Sequence, residues 1–324
     1  MNKLSMQELA AIVKVPKRTL VLCHKNPDPD TLGSAFGLKH ILEHFGSEVF
    51  VASCDRPSAK FSFITGGDTL EYKSGEYERI IAVDVASPAQ LGELGFLADK
   101  TDFIIDHHGM NTRFAPYYEE SCASCAEIIF SLYRELDISL PKNFFECIYA
   151  GMSGDTGGFR YSNVTKRSME YGALVIESGI DHAEINRIIF DSKTLGEIKA
   201  QKLTFEKMEL LCNGALAVIM FTNEMKAAHG IADEDISDIV NSIRSIEGVL
   251  VAVSLKQSTK EPTKFSLSSR ANCEIDVSRV CAQLGGGGHM RASGATVVAN
   301  DPQSAIDSCI PLFAEAVNEY KARV

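Results

Sequence analysis

Continuous apolar runs alternate with helical patterns through the first half of the chain. The runs do not alternate with polar residues, which predicts strands that are covered on both faces. The predicted strands are 19–23, 49–52, 79–85 and 102–105. The predicted helices are 31–45, 126–136, 142–152, 167–178 and 181–190. Strands separated by helices predict a parallel, doubly wound α/β domain.

A different pattern begins after residue 190. The stretch 191–211 is polar and helical in spacing, with one Gly and no Pro, so we expect a helical connector rather than a flexible linker. Strand and helix patterns then resume, which predicts a smaller α/β domain. Its strands are expected at 215–221, 249–255, 263–269 and 294–298, and its helices at 236–246, 277–284 and 302–322. The predicted organisation is a first domain at 1–190, the connector, and a second domain at 212–324.

The charge balance limits the partners of the protein. The chain has 324 residues and a net charge of −11, which argues against binding to duplex DNA, because such binding needs clustered Lys and Arg. A nucleotide or short oligonucleotide remains compatible, since a bound metal reverses the local potential of an acidic site. Short substrates also suit an acidic surface better than long strands, which need an extended basic channel.

The N-terminal residues and the cysteines indicate a location. Ser5 and Glu8 have capping-box spacing, which predicts a short helix and not an export signal. No run approaches the roughly 18 to 20 apolar residues of a membrane span, so we expect no membrane association. Nine cysteines, an odd number, do not resemble a disulfide framework, so we expect a cytoplasmic protein.

One cysteine pair, Cys122 and Cys125, has C-x-x-C spacing. A zinc site normally needs a second pair, which this sequence lacks. Ser124 and Glu127 have capping-box spacing, so Cys125 is expected in the first turn of a helix, where its thiolate would be favoured. Packing at a helix start is favoured over redox chemistry, and neither cysteine is assigned to the site.

Ionisable residues follow the apolar elements of the first domain at the point where each element ends. His24, Asp28 and Asp30 come after the first strand. The others are Asp84 near the end of the 79–85 run, Asp106, His107 and His108 after the 102–105 run, and Asp155 in a glycine-flanked loop after the 142–152 helix. The carboxyl ends of parallel strands line one crevice, which is the usual place for a ligand site.

So many carboxylates in one crevice need a counter-charge, because they cannot all stay ionised without it. Two divalent cations that share a bridging carboxylate would supply that charge. A mixed imidazole and carboxylate shell suits Mn²⁺, with Mg²⁺, Co²⁺ and Fe²⁺ as alternatives. Each element alone has a plainer interpretation: the NPDPD segment fits a turn with helix N-capping, and Asp30 is a candidate cap.

The second domain carries a glycine-rich segment, GGGGHMRASGA, at 285–295. Its glycines would let backbone N–H groups approach a phosphate or a base, and His289 follows them directly. Arg270 ends a predicted strand and can fork onto a phosphate. A flexible hinge is the alternative interpretation, but the following His, a helix-like MRASGA and the nearby arginine favour substrate binding.

These motifs together resemble a known family. HKNPDPD at 24–30, VD at 83–84, DHH at 106–108 and GDTG at 154–157 are similar to the four motifs of the DHH phosphoesterase superfamily. The segment GGGGHMRASGA is similar to the GGGH segment of the DHHA1 domain. The length and two-domain layout most resemble the oligoribonuclease and 3′-phosphoadenosine 5′-phosphate (pAp) phosphatase group, the nanoRNase type.

The resemblance implies roles for individual residues. His24, Asp28 and Asp84 would hold one cation, and the second cation would have a ligand set that shares Asp84. That second set is Asp30, Asp84, His107 and Asp155. Asp106 would orient His107 or its neighbour, while His108 would face the substrate and protonate or hydrogen-bond a phosphoryl oxygen. The implied cofactor is two divalent cations, Mn²⁺ by preference.

The resemblance also implies substrate-binding residues and substrates. Gly286, Gly287, Gly288 and His289 would bind the nucleotide together with Arg270, although the family strand reads Ser-x-Arg-Ser where this chain has SLSSRA. The implied substrates are short single-stranded RNA, dinucleotides such as pApA or pGpG, and pAp. The implied reaction is hydrolysis of a phosphoester to a 5′-mononucleotide, or to phosphate and AMP.

Other functions remain as alternatives. A family II-like inorganic pyrophosphatase shares a similar N-terminal site, but would be expected to carry a C-terminal basic cluster where this chain has its glycines. A phosphodiesterase for linear or cyclic dinucleotides is hardly separable from the first choice. A non-catalytic nucleotide sensor would normally lack a ligand, and all six ligand positions are filled. The oligomeric state is left open, a homodimer included.

Overall fold

In a computed structural model, residues 2–109, 112–236 and 239–323 are described. The chain divides into two compact units, Met1–Ser192 and Lys193–Val324. The helices of the first unit are α1 (Met6–Val13), α2 (Pro29–His44), α3 (Ser62–Thr65), α4 (Cys125–Leu136), α5 (Lys142–Thr156), α6 (Lys166–Glu177) and α7 (His182–Asn186). Its strands are β1 (Thr19–Leu22), β2 (Val49–Ala52), β3 (Arg79–Val83), β4 (Phe103–Asp106) and β5 (Tyr117–Glu119).

The second unit contains the remaining elements. Its helices are α8 (Leu195–Lys207), α9 (Asn223–His229), α10 (Ile239–Arg244), α11 (Val277–Gln283) and α12 (Pro302–Arg323). Its strands are β6 (Glu209–Leu211), β7 (Leu216–Phe221), β8 (Val251–Gln257), β9 (Lys264–Ala271), β10 (Gly287–His289) and β11 (Ala292–Val298). No helix of the described residues is long and apolar enough to cross a membrane.

The first unit is the predicted parallel α/β domain. Its five strands lie in the order β2-β1-β3-β4-β5, and every pair is parallel. Alternate residues of β1 enter different cores: Val21 packs in one with α2, α4 and α5, whereas Leu20 and Leu22 pack in the other with the 3₁₀ segment Pro88–Lys100. Both faces are therefore covered, which explains why the strands read as continuous apolar runs.

Helices α2 and α5 approach each other closely beside the sheet. A Cβ atom on Gly33 would lie 2.3 Å from the carbonyl oxygen of Cys147, so only glycine fits at this crossing. On α5, a Cβ atom on Gly151 would lie 2.8 Å from Oδ1 of Asp30. The small residues thus bring the last turns of α5 against the first turn of α2, where the candidate ligands lie.

The second unit has a mixed sheet in the order β10-β11-β9-β8-β7-β6, in which only β7 and β8 are parallel. Helices α11 and α12 pack in the core on one face, and α8 and α10 pack in the core on the other. Ala200 and Leu203 of α8 are buried in that second core. The predicted connector is therefore largely an integral helix of the second unit.

The structure corrects several predictions of local structure. Residues 209–211, expected to be helical, form the antiparallel edge strand β6. The helix-like MRASGA segment lies mostly in strand β11, because residues from Ala292 onward pair with β9. Asp155 lies in the last turn of α5 and not in a loop after it. Strand β5, helix α9 and the segment Pro88–Lys100 were not predicted at all.

Candidate metal centre

The structure brings the six predicted ligands together at the carboxyl edge of the parallel sheet. His24 follows β1, Asp84 follows β3 and His107 follows β4, while the first turn of α2 and the last turn of α5 supply the carboxylates. Two groups of three side chains each have ligand atoms within 4.8 Å of one another: His24, Asp28 and Asp84, and Asp30, His107 and Asp155. We call them the His24 group and the His107 group. A third such combination joins Asp84, His107 and His108.

The His24 group is arranged around one imidazole nitrogen. Nε2 of His24 lies 3.6 Å from Oδ1 of Asp28 and 3.4 Å from Oδ2 of Asp84. Nδ1 of His24 lies 2.7 Å from the carbonyl oxygen of Lys25, which can only accept a hydrogen bond. In the neutral form that a metal ligand requires, we therefore assign the proton to Nδ1, which leaves the Nε2 lone pair directed toward the carboxylates.

The His107 group repeats this arrangement. Nε2 of His107 lies 3.4 Å from Oδ1 of Asp84, 3.4 Å from Oδ2 of Asp155 and 3.9 Å from Oδ2 of Asp30. Its Nδ1 lies 3.2 Å from the carbonyl oxygen of Cys122. The two backbone carbonyls that orient the imidazoles were not predicted, because nothing in the local sequence marks a carbonyl as a partner.

Asp84 belongs to the His24 group and also faces the His107 group. Its Oδ2 faces His24, and its Oδ1 faces His107. Oδ1 is buried and receives no hydrogen bond of good geometry within the described part of the chain. The backbone of Asp84 has φ = 56°, a left-handed conformation that is uncommon for non-glycine residues and recurs at functional sites. This geometry fits a carboxylate that bridges two cations.

Asp28 and Asp30 also cap helices. Oδ1 of Asp28 accepts hydrogen bonds from the backbone N–H groups of Asp30 and Thr31, both at 3.0 Å, so the N-cap of α2 is Asp28. Asp30 instead caps α4, accepting from the N–H groups of Cys125 at 2.7 Å and Ala126 at 2.9 Å. The N-cap and ligand interpretations of this segment are therefore compatible.

The raised pKa values of two carboxyl groups indicate an excess of negative charge in the centre. Burial raises the pKa of Asp30, and the charge of Asp84 raises it further, to about 7. Burial and the charge of Asp30 also raise the pKa of Asp155 well above its usual range. Burial alone would raise the pKa of Asp84, but the imidazoles of His107 and His24 hold it below its usual range.

The imidazoles respond to the same charges. Burial alone would lower the pKa of His24 and His107, but the neighbouring carboxylates raise both pKa values well above the usual range. The carboxylates cannot all ionise without further positive charge. The donor set, its geometry and its charge therefore fit divalent cations.

His108 has a different environment from the other two imidazoles. Its Nδ1 lies 2.7 Å from Oδ1 of Asp106, which is fully buried, and 3.5 Å from Oδ1 of Asp84. Asp106 also accepts a hydrogen bond from the backbone N–H of His107 at 2.9 Å. Of the two predicted partners of Asp106, the side chain that it orients is His108. About a fifth of the His108 side chain is exposed, 22%, so solvent reaches it.

Both cysteines of the C-x-x-C pair pack against the core of the first unit. Cys125 begins α4 as predicted, but burial raises the pKa of its thiol well above the usual range, so its thiolate is not favoured. Burial likewise raises the pKa of the Cys122 thiol. Glu127 does not complete the capping box, because its carboxylate accepts hydrogen bonds from Arg167 and Ser168 instead.

The glycine-rich segment of the second unit forms the edge strand β10, paired antiparallel with β11. Two of its glycines are required by that pairing: a Cβ atom on Gly286 would lie 2.1 Å from the carbonyl oxygen of Gly294, and one on Gly288 would lie 2.6 Å from that of Ala292. A Cβ atom on Gly287 would meet nothing within 4 Å. Gly287 therefore presents open backbone within β10, as Gly285 does before the strand begins.

His289 and Arg270 are close in the same sheet. His289 is exposed and pairs with Ala292, and Ala292 also pairs with Arg270 on the next strand. Arg270 lies one residue before the end of β9, and its Nη1 donates a hydrogen bond to the carbonyl oxygen of Ser269 at 2.9 Å. The two predicted substrate-binding side chains thus lie on strands that flank β11.

Comparisons with known proteins agree with this architecture. The model of the DHH family, N-terminal domain, matches residues 18–152, and that of the DHHA1 domain matches residues 214–321. The chain belongs to the DHH–DHHA1 family of phosphoesterases.

Individual relatives cover nearly the whole chain. It is 28% identical to the bifunctional oligoribonuclease and PAP phosphatase NrnA of Thermus thermophilus, over 98% of this chain and 95% of the relative. Identity to the protein of the same name from Bacillus subtilis is 25%, over 91% and 94%. The crystal structure of an exopolyphosphatase-related protein from Bacteroides fragilis superposes with a TM-score of 0.85 at 22% identity, covering 98% of this chain and 96% of that one.

Proposed function

We propose that this protein is a two-cation phosphoesterase that hydrolyses short oligoribonucleotides to 5′-mononucleotides and pAp to AMP. The observation that carries the proposal is Asp84, whose two carboxylate oxygens face two separate groups of imidazole and carboxylate ligands. Relatives that match almost the full chain are named for both of these activities. Their names support this substrate class over pyrophosphate.

We assign one cation to the His24 group and one to the His107 group, with Asp84 shared. Mn²⁺ is the preferred ion, because imidazole and carboxylate ligands together suit it. Cations bound in this way would polarise the phosphoryl group and activate water near neutral pH. The protein contributes rigid ligands, each imidazole being fixed in one tautomer by a backbone carbonyl.

His108 is the proposed proton donor. Asp106 accepts from its Nδ1, which orients the ring and stabilises its protonated form. Burial alone would lower the pKa of His108, but Asp106 and then Asp84 raise it above its usual value. A protonated imidazole can hydrogen-bond a phosphoryl oxygen and give its proton to the leaving oxygen.

We further propose that the DHHA1 unit binds the nucleotide part of the substrate. His289 and Arg270 would contact phosphate or base, and the exposed backbone at Gly287 admits close approach, with Gly286 and Gly288 shaping the strand around it.

We also propose a cytoplasmic location, because nine free cysteines fit a reducing compartment.

The test is a product assay on Mn²⁺-loaded protein offered pApA, pAp and pyrophosphate side by side. We expect AMP from both nucleotides and no cleavage of pyrophosphate. Pyrophosphate cleavage alone would overturn the proposed substrate class. Absence of turnover by protein that holds two Mn²⁺ ions would overturn the proposed catalysis.

A further inference from the structure

All three ligands of the His107 group depend on one short segment, residues 120–127, which we call the support loop. The carbonyl oxygen of Cys122 accepts from Nδ1 of His107 at 3.2 Å. The N–H groups of Cys125 and Ala126 donate to the two carboxylate oxygens of Asp30, at 2.7 and 2.9 Å. The orientation of two ligands therefore follows the position of this backbone.

The third ligand is tied to the same segment through Asn163. Its Nδ2 donates to the carbonyl oxygen of Ala123, in the support loop, and to that of Asp155, both at 3.1 Å. Asn163 thus couples the last turn of α5, which carries Asp155, to the support loop.

Arg167 on α6 holds both ends of the support loop. Its Nε lies 3.2 Å from Oε2 of Glu127, and its Nη1 contacts Oε1 of Glu120. Glu127 is fully buried, and Ser168 donates to its other oxygen at 2.6 Å. One guanidinium therefore joins two carboxylates seven residues apart, at either end of the backbone that supports the ligands.

The His24 group takes its support from other parts of the chain. His24 donates to the carbonyl oxygen of Lys25, and Ser53 donates to the carbonyl oxygen of His24 at 3.0 Å. Asp28 accepts from the first turn of its own helix α2. Among the described residues, the two halves of the centre are linked through Asp84 and through the hydrogen bond from the Asp30 N–H to Asp28, and no hydrogen bond given above joins the support loop to His24 or Asp28.

We propose that Arg167 is a positioning residue that maintains the His107 group and leaves the His24 group largely unaffected. It acts through the support loop and touches neither the proposed cations nor the substrate. The inference rests on the proposed two-cation centre and assigns to one remote side chain the control of one of its two sites. Nothing in the local sequence marks this role, because Arg167 lies 40 residues from Glu127 and 47 residues from Glu120.

The test measures Mn²⁺ binding directly, by equilibrium dialysis of the full chain. In Arg167→Gln we expect one Mn²⁺ to bind about 10- to 100-fold more weakly, the range seen when groups that orient ligands are removed, and the other within about twofold of wild type. The affected site is identified in two backgrounds. In the His24→Ala background, Arg167→Gln should further lower the affinity for the remaining Mn²⁺. In the His107→Ala background, it should leave the affinity for the remaining Mn²⁺ nearly unchanged.

Arg187→Gln is the matched control, because Arg187 forms an exposed two-point ion pair with Glu184 in the same unit, and it should leave both Mn²⁺ affinities unchanged. Glu120→Gln is the second variant if Arg167→Gln fails to fold, since it leaves the buried contact of Arg167 with Glu127 in place. It should produce a smaller loss, again confined to the background that retains the His107 group.

Equal weakening in both backgrounds, or none in either, would overturn the inference while wild-type protein still binds two Mn²⁺ ions. Failure of the wild-type protein to bind two Mn²⁺ ions would instead overturn the proposed function on which the inference rests. A lowered melting temperature with unchanged Mn²⁺ affinities would show that Arg167 serves the fold alone and would also overturn it.

Discussion

Strands β10 and β11 form a hairpin that we call the glycine-rich hairpin. The candidate metal centre and this hairpin are built in opposite ways. In the centre, Asp30, Asp84 and Asp106 are almost completely buried, and the side chains of Asp30 and His107 hydrogen-bond the backbone of the distant support loop. In the hairpin, Gly287 and His289 are exposed on a three-residue edge strand. The centre is held from many directions, whereas the hairpin is held mainly by backbone pairing to one neighbour.

The difference matches two different chemical demands. Phosphoryl chemistry needs ligands and proton donors fixed to within a fraction of an ångström, which buried networks provide. Binding of varied nucleotides needs accessible backbone and side chains that adapt. Changes in the centre should therefore lower kcat and release cations, while changes in the hairpin should raise KM and leave cation binding intact.

The largest effect is expected for Asp84→Asn. Asparagine tolerates the left-handed backbone at this position, so the change removes the shared charge with little added strain. We expect both cations to be lost and kcat/KM to fall about 1,000-fold or more. Metal analysis of the dialysed protein, alongside its melting temperature, checks this. Full activity in this variant would be incompatible with a two-cation centre.

His108→Gln should have the next largest effect. It removes the proposed proton donor without removing an assigned ligand, so kcat should fall about 100-fold while two Mn²⁺ ions remain bound. Steady-state kinetics and metal analysis of the same sample separate the two effects. Loss of one Mn²⁺ would show that His108 is a ligand in the combination with Asp84 and His107.

His289→Ala tests the hairpin. We expect KM for pApA to rise about tenfold, as for the loss of one charge-assisted hydrogen bond of ~1.5 kcal/mol, with kcat within about threefold of wild type. A generic aryl phosphodiester, which lacks a nucleotide, should be less affected. Arg279→Ala is a matched control in the same unit, because Arg279 is exposed and paired with Asp276. A kcat defect with unchanged KM would contradict the assigned role.

The smallest effects are expected from a pair of glycine variants. Gly288→Ala should destabilise the second unit by about 1–3 kcal/mol, because φ is 142° and a Cβ atom would overlap β11. Gly287→Ala should change stability by less than about 0.5 kcal/mol, since the space around it is open. Thermal melts compare the two. If Gly287 contacts substrate, its variant should raise KM a few-fold, and an unchanged KM would remove Gly287 from the binding surface.

Much of this architecture could be predicted because the signals are local. The β1, β3 and β4 runs are continuous and apolar, and ionisable residues come at or directly after their ends, so the sheet edge and its candidate ligands can be predicted from neighbouring residues in the sequence. The N-cap role of the NPDPD segment was also predicted, although Asp28 rather than Asp30 caps α2. Asp155 lies beside Asp30 and His107, but in the last turn of α5 and not in the predicted loop, because α5 continues to Thr156.

What could not be predicted depends on contacts between distant residues. Asp30 caps a helix that begins 95 residues later, and Arg167 contacts carboxylates 40 and 47 positions earlier in the chain. Strand β10 was missed because four consecutive glycines have low strand propensity, and only pairing with β11 makes them a strand. Desolvation overrode the helix-start preference of the Cys125 thiolate, since burial is set by the fold.

The helix caps formed by Asp28 and Asp30 bear on how the enzyme acquires its metal. These carboxylates already have backbone partners, so we expect the protein to fold before any cation arrives. Zinc fingers behave in the opposite way, because their folding waits for the ion. Folding of the chain and binding of the cations would then be separate steps. The ion that enters would then depend on the ligand set and on the supply in the cell at the time of loading, and exchange of one ion for another would not require the chain to unfold.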